Sequence, residues 1–228
     1  MNEQSLTAKL REVSFATLGH FLENGFVNYA IRAMVPGGRI VGRAVTLRVA
    51  QADACAVNQA LISLHPGDVL VIDMADDHDH ACIGAVTQFA ARCAGAAGIV
   101  VDGVVTDLNE LRACQLPVFA RGTTQLTTKL VGEDKSAYNV PVSCGGIVVN
   151  PGDMVLADDN GVLVLPAEDL TDVVDRALAS DLAEPDLLAR LSSGQKLSDV
   201  LNTSGAGVKH HTRLCTKSRQ TQSPPLER

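Results

Sequence analysis

The ten residues Gly98-Ile-Val-Val-Asp-Gly-Val-Val-Thr-Asp107 constrain this chain more than any other stretch. Ile99 to Val101 is a run of β-branched side chains, which reads as a short buried strand. Asp102-Gly103 breaks the run, because glycine accepts backbone angles that other residues avoid. Asp107 follows just past the strand end, where open α/β sheets commonly place their ligands. Upstream, Ala81 to Ala97 is built of small, helix-permissive residues, with Val86, Phe89, Ala90 and Cys93 on one stripe. The order predicted is helix, strand, then acidic turn. The first turn of that helix, Gly84-Ala85-Val86-Thr87, carries backbone N–H groups that suit a carboxylate or phosphate. A carboxylate at Asp107 facing this turn would form a metal-plus-oxyacid site. The alternative is an ordinary α/β crossover with a solvated Asp.

The rest of the chain alternates in the same way. Leu6 to Asn24 has helical spacing, with Leu10, Val13, Phe15, Leu18 and Phe21-Leu22, and Gly25 stops it. Arg39 to Ala50 reads as one or two strands bent at Gly42, and Ala52 to Leu64 as a helix. Asp68 to Met74 is a buried strand followed at once by Asp76-Asp-His-Asp-His80. That cluster is either a ligand set for a metal, since carboxylate and imidazole are common ligands, or a solvated loop over a sheet edge. Leu108 to Cys114 reads as a helix and Leu116 to Ala120 as a strand. A Thr-rich loop runs from Thr123 to Thr128, flanked by Arg121 and Lys129 as candidate anion ligands or plain surface cations. Strands at 140–144, 147–150, 154–157 and 162–165 follow, the last two joined across Asp158-Asp-Asn-Gly161. Two helices, 166–180 and 184–192, and a turn at 197–201 complete the ordered pattern.

Totals narrow the function classes. A chain of 228 residues is one domain plus a tail, expected as 1–203 and 204–228. With 46% hydrophobic residues but only 3% aromatic and no Trp, the core must come from Ala, Val, Leu and Ile. The segment from Ser204 carries Lys209, Arg213, Lys217, Arg219 and Arg228 against Glu227, and reads as a basic disordered tail. His210-His211 within it offers adventitious metal binding. The body before it is therefore more acidic than the net charge of −7 for the whole chain, which argues against nucleic acid as a direct partner. The six cysteines form no CxxC pair, so buried reduced thiols and a reducing, cytoplasmic compartment are expected. The first residues read as neither a signal segment nor a spanning helix, so no membrane partner is expected.

Several segments in order resemble the RraA-like family: 66–73, the Gly84 turn, 98–107, 117–122, 139–146, 149–153 and 157–166. This family holds class II 4-hydroxy-4-methyl-2-oxoglutarate/4-carboxy-4-hydroxy-2-oxoadipate aldolases, which also decarboxylate oxaloacetate, and the regulator of ribonuclease activity A. The resemblance implies a swivelling α/β/β/α domain, usually assembled as a homotrimer or a dimer of trimers. It implies a site at subunit interfaces with a divalent metal, magnesium or manganese, and a small oxyacid substrate. By the resemblance Asp107 anchors the metal and the N–H groups of Gly84, Ala85, Val86 and Thr87 hold the pyruvyl carboxylate. Lys129 lies within about one residue of a substrate-contacting Lys. The aldolases carry GxxxD, twenty residues, then Arg-Asp. Here Ala81 stands for the first Gly, Ala85 for the acid and Thr106 for the Arg. The expected function is a metal-dependent lyase forming pyruvate, with Asp107 and Thr106 at its centre, adapted where Thr106 replaces Arg. The alternative is a non-catalytic member that acts by binding a protein.

Overall fold

Side-chain alternation in two adjacent strands fixes the architecture. In β3 (Asp68–Asp73) Leu70 and Ile72 face one hydrophobic cluster while Val69 and Val71 face another. In β5 (Gly98–Asp102) Ile99 and Val101 join the first cluster and Val100 the second. Strands apolar on both faces must be covered on both, which is the environment of a parallel sheet in an α/β protein. The computed structural model describes residues 2–132 and 135–201. The basic tail expected from 204, His210-His211 and Cys215 lie outside the described residues. The chain divides into two compact units, Met1–Ala183 and Glu184–Arg228.

The first unit begins with α1 (Glu3–Glu12), α2 (Phe15–Leu18), β1 (Arg32–Ala33), β2 (Ile40–Arg48) and α3 (Ala54–Ile62), which lead into β3. Next come β4 (Ala81–Ile83), α4 (Ala85–Cys93), β5, β6 (Val104–Val105), α5 (Leu108–Cys114), β7 (Val118–Ala120) and β8 (Gly122–Thr123). Then follow β9 (Ala137–Tyr138), β10 (Val142–Cys144), β11 (Ile147–Val149), β12 (Met154–Asp158), β13 (Gly161–Leu165), α6 (Ala167–Thr171) and the first part of α7 (Val174–Ser192). The main sheet has the order β1-β7-β5-β3-β2-β12-β13, with β9 also on β2. Strands β2, β3, β5 and β7 pair in parallel, and β1, β12 and β13 pair antiparallel. The α/β domain expected from the sequence is therefore the one that forms.

Two small sheets complete the unit: the hairpin β10-β11, and the all-parallel β4-β6-β8. Helices α3, α4 and α5 cover one face of the main sheet through Val57, Ala60, Leu61, Ala91 and Leu111. Leu6, Leu10 and Leu18 pack with Leu156, Leu163 and Val174 in a third cluster. Burying each such side chain contributes about 1.5–3 kcal/mol before entropy is counted. In the second unit Arg190 ties its own turn, donating from Nε to Gln195 Oε1 (3.0 Å) and from its guanidinium to the Asp199 carbonyl (2.9 Å), at α8 (Leu197–Val200).

Several sequence expectations are corrected. The predicted Leu6–Asn24 helix is broken, because Val13 and Ser14 are extended and Ser14 starts the new short helix α2. Residues 81–83 are strand rather than helix, so α4 begins only at Ala85. Of the one or two strands expected over Arg39–Ala50, one forms, β2, since Gly42 stays in the ladder opposite Val155. The helices predicted at 166–180 and 184–192 are instead α6 and a longer α7 that contains Pro185. Of the described cysteines, none is in a disulfide; Cys82 and Cys144 are buried, and Cys93 is exposed. Burial pushes the Cys82 thiol up to about 12. Among the described residues no helix is long and apolar enough to cross a membrane.

Candidate functional site at the end of the small parallel sheet

Three parallel strands end together. Ile83 pairs with Val105, and Val105 with Thr123. The last ladder bonds run from the Thr106 N–H to the Ile83 carbonyl (2.9 Å) and from the Thr124 N–H to the Val105 carbonyl (3.0 Å). The next residues on the three strands are Gly84, Thr106 and Thr124, and Asp107 follows Thr106. On the far side of β4, Thr127 bridges Ala81 in parallel, which brings Lys129 along the same edge. Lys129 Nζ donates to Thr127 Oγ1 at 3.2 Å. The expected site residues Gly84, Ala85, Val86, Thr87, Thr106 and Asp107 thus gather around one sheet end, with the Lys129 backbone along its edge and the Lys129 ammonium turned to Thr127.

Asp107 is the N-cap of α5, yet its side chain makes no hydrogen bond to that helix. Its φ is +54°, the left-handed region, at a cost of about 1–2 kcal/mol that Asp tolerates better than most residues. The carboxylate turns to α4 instead, where Oδ2 accepts the Ala85 N–H at 2.9 Å. Oδ1 lies 3.4 Å from the Thr106 hydroxyl. Gly84 makes this approach possible. Its backbone is extended, so the need is for space: a Cβ there would lie 2.6 Å from Asp107 Oδ2 and 2.9 Å from Thr106 Cγ2.

Thr87 locks the turn. Its hydroxyl accepts the Gly84 N–H (2.8 Å) and donates to the Gly84 carbonyl (3.0 Å). The N–H groups of Val86 and Thr87, second and third in α4, have no carbonyl partner inside the helix. In the cradle that the resemblance implies they would be the donors left for an anion, because the Ala85 N–H is engaged by Asp107. Asp107 Oδ1, 3.4 Å from the Thr106 hydroxyl, is the atom that would hold a divalent cation if one binds here. One carboxylate suffices for a hydrated ion such as magnesium, which keeps several waters and completes its shell with substrate oxygens. No group of three His, Cys, Asp or Glu side chains converges among the described residues.

The other candidates are occupied elsewhere. Arg121 precedes β8, at the opposite end of the small sheet, and its Nε donates to Asp102 Oδ1. Asp102 Oδ2 accepts the Gly145 N–H (2.7 Å), and Asp73 accepts the Ser143 N–H (3.2 Å), so these neighbouring strand-end carboxylates hold β10-β11. The Asp76–His80 cluster splits. Asp77 accepts the Asp79 and His80 N–H groups and contacts the His80 ring at 2.8 Å, while His78 lies 3.7 Å from Asp102. Burial raises the Asp77 pKa, and these bonds more than offset it, leaving the carboxyl below its ordinary value. A separate cleft lined by Phe15, Phe26, Val27 and Leu163 has Asp158 as its one charged wall.

Two features escaped the sequence reading. The stripe Val86, Phe89, Ala90 and Cys93 faces outward, with Val86 83% and Phe89 54% exposed. The core-facing residues of α4 are Gln88 and Ala91. Gln88 is fully buried and its Nε2 donates to the Leu111 (2.9 Å) and Leu116 (2.8 Å) carbonyls, joining α4 to the end of α5. A helix whose apolar stripe points away from its own core expects a cover. The only signal in the sequence was a Gln breaking the other face.

The family model described as "RraA-like: Aldolase/RraA" matches residues 7–164. A protein of Halalkalibacterium halodurans, whose name provisionally assigns it 4-hydroxy-4-methyl-2-oxoglutarate aldolase activity, is 38% identical over 147 residues, 64% of this chain and 69% of that protein. The 4-hydroxy-4-methyl-2-oxoglutarate aldolase of Thermus thermophilus is 36% identical over 128 residues, 56% of this chain and 76% of that protein. Among solved structures, Streptomyces coelicolor RraAS2, described as an unusual member of the RNase ES inhibitor RraA family, superposes with a TM-score of 0.70 at 30% identity, covering 83% of this chain and all of that one. This chain belongs to the RraA-like family.

Proposed function

We propose that this protein is a divalent-metal-dependent lyase that releases pyruvate, by retro-aldol cleavage of a 4-hydroxy-2-oxo acid, by decarboxylation of oxaloacetate, or by both. The observation that carries the reading is the Asp107 carboxylate seated on the Ala85 N–H beside the open Val86 and Thr87 N–H groups. The aldolase names of two relatives support it. In the retro-aldol reaction the C4 hydroxyl loses its proton to a base and the C3–C4 bond breaks. Its electron pair passes to the three-carbon fragment as an enolate, which takes a proton at C3 to become pyruvate. Magnesium or manganese held by Asp107 would supply Lewis-acid polarisation of the 2-oxo group. The chain itself holds the carboxylate on the Val86 and Thr87 N–H groups, with Lys129 as the cation on that flank. Thr106 offers a neutral hydroxyl where the aldolases use Arg. Losing one such donor costs on the order of 3 kcal/mol of barrier, a hundredfold or more in rate.

The same reading assigns the outward stripe of α4 to contact with a neighbouring copy, in a homotrimer or dimer of trimers. A second reading, protein binding without chemistry, draws on that stripe and on the RNase ES inhibitor family of the structural neighbour. Pyruvate release from oxaloacetate and from 4-hydroxy-4-methyl-2-oxoglutarate, with magnesium and after chelation, separates them. Metal-requiring release supports the lyase. No release from either acid, with recovery of a ribonuclease E scaffold on the protein, supports the second reading.

A further inference from the structure

We infer that Thr124 is a substrate-contacting hydrogen-bond donor that favours a 2-oxo acid bearing a neutral oxygen on C4. The inference rests on the lyase reading of the same site.

The sheet edge has a polarity. Lys129 flanks the cradle on one side of β4, and Asp107 with Thr106 follows at the end of β6. Thr124 stands at the end of β8, the third strand, where no cation is supplied by its own neighbours: Arg121 is held at the other end by Asp102. Adjacent strands are about 4.8 Å apart. By the ladder register Thr124 is level with Thr106 and Gly84, so an acid with its carboxylate on the Val86 and Thr87 N–H groups and its 2-oxo group toward Asp107 would present its far end to β8.

The state of the Thr124 hydroxyl is set by the loop. Its Oγ1 accepts the Leu126 N–H at 3.2 Å. With a lone pair engaged there, the hydroxyl proton is left to donate outward. Thr106 differs, since its hydroxyl points at Asp107 Oδ1. Thr124 is half-buried, so such a bond is partly shielded from water. A hydroxyl donor suits a C4 hydroxyl or carbonyl oxygen.

Titration calorimetry on the full chain with magnesium tests this, using pyruvate, 2-oxopentanoate and 2,4-dioxopentanoate. The C4 oxygen should tighten binding about fivefold over 2-oxopentanoate, the contribution of one neutral hydrogen bond. Thr124→Val should erase that ratio while pyruvate affinity stays unchanged, and Thr124→Ser should keep it. A ratio that survives in Thr124→Val, or is absent in the wild type while pyruvate still binds, overturns the role of Thr124 alone. Failure of pyruvate to bind the wild type overturns the lyase reading and this inference together.

Discussion

Asp107 caps the wrong helix: it occupies the N-cap of α5 but gives its carboxylate to the Ala85 N–H of α4, at 2.9 Å. An Asp at an N-cap ordinarily satisfies its own helix, which is worth about 1 kcal/mol. Here that gain is forgone and a left-handed backbone is accepted as well. The strain is local and sits at the end of the small parallel sheet, with Asp107 exposed.

Asp107→Asn separates charge from structure. The amide oxygen can still accept the Ala85 N–H, so the melting temperature should hold. Metal-dependent pyruvate release should fall at least about a hundredfold, as for other lost electrostatic groups at reacting centres. A steady-state assay beside a thermal melt reads both. Full activity in a folded Asp107→Asn protein would remove the residue from the chemistry.

Thr106→Arg should restore a cation beside Asp107. Turnover of oxaloacetate and 4-hydroxy-4-methyl-2-oxoglutarate, both carrying two carboxylates, is expected to rise about tenfold or more. An unchanged kcat/KM would mean that the site is organised around a different acid.

Phe89→Asp places a charge in the centre of the outward α4 stripe. Sedimentation should shift from a trimer or hexamer to a monomer, with far-UV circular dichroism unchanged because Phe89 is 54% exposed in the single chain. An oligomer unaffected by the change would put the interface on another face.

Acid should loosen the Lys129 flank first at Asp53, which is 2% exposed. Its carboxylate accepts the Cys55 N–H (2.8 Å), the Val131 N–H (3.1 Å) and the Gly132 N–H (3.1 Å). Burial raises its pKa, but these backbone bonds outweigh burial and hold it below the ordinary carboxylate value. A carboxyl lowered on folding stabilises fully above its unfolded pKa of about 3.9, and that contribution is lost as the pH falls through the lower folded value. Amide-exchange protection at Val131 and Gly132 should therefore hold to about pH 4 and drop below it. Asp53→Asn should show reduced protection at neutral pH. A profile flat through the acid range would contradict the assignment.

Strands with a strong local pattern were legible in the sequence. The β-branched runs at 68–73 and 99–101 and the hairpin across Asp158–Gly161 stand where their residues predicted. So were the positions of Asp107, past a strand end, and of the Gly84 turn, at a helix start, because each has a local signature. What failed depended on tertiary contacts. Ala81–Ile83 has helix-permissive residues, but pairing with β6 and with the Thr127 segment makes it strand. The α4 stripe was legible as a stripe, but periodicity gives a face and not its direction. Gln88 settles that direction through bonds to carbonyls more than twenty residues away. The reach of Asp107 to Ala85 was likewise invisible, since it needs Gly84 to lack a side chain at one point in space.

Crystals soaked with pyruvate and magnesium test the central claim most directly. The account predicts a cation against Asp107 Oδ1 and the pyruvate carboxylate on the Val86 and Thr87 N–H groups. Pyruvate bound elsewhere, or a cation that leaves Asp107 untouched, would contradict it.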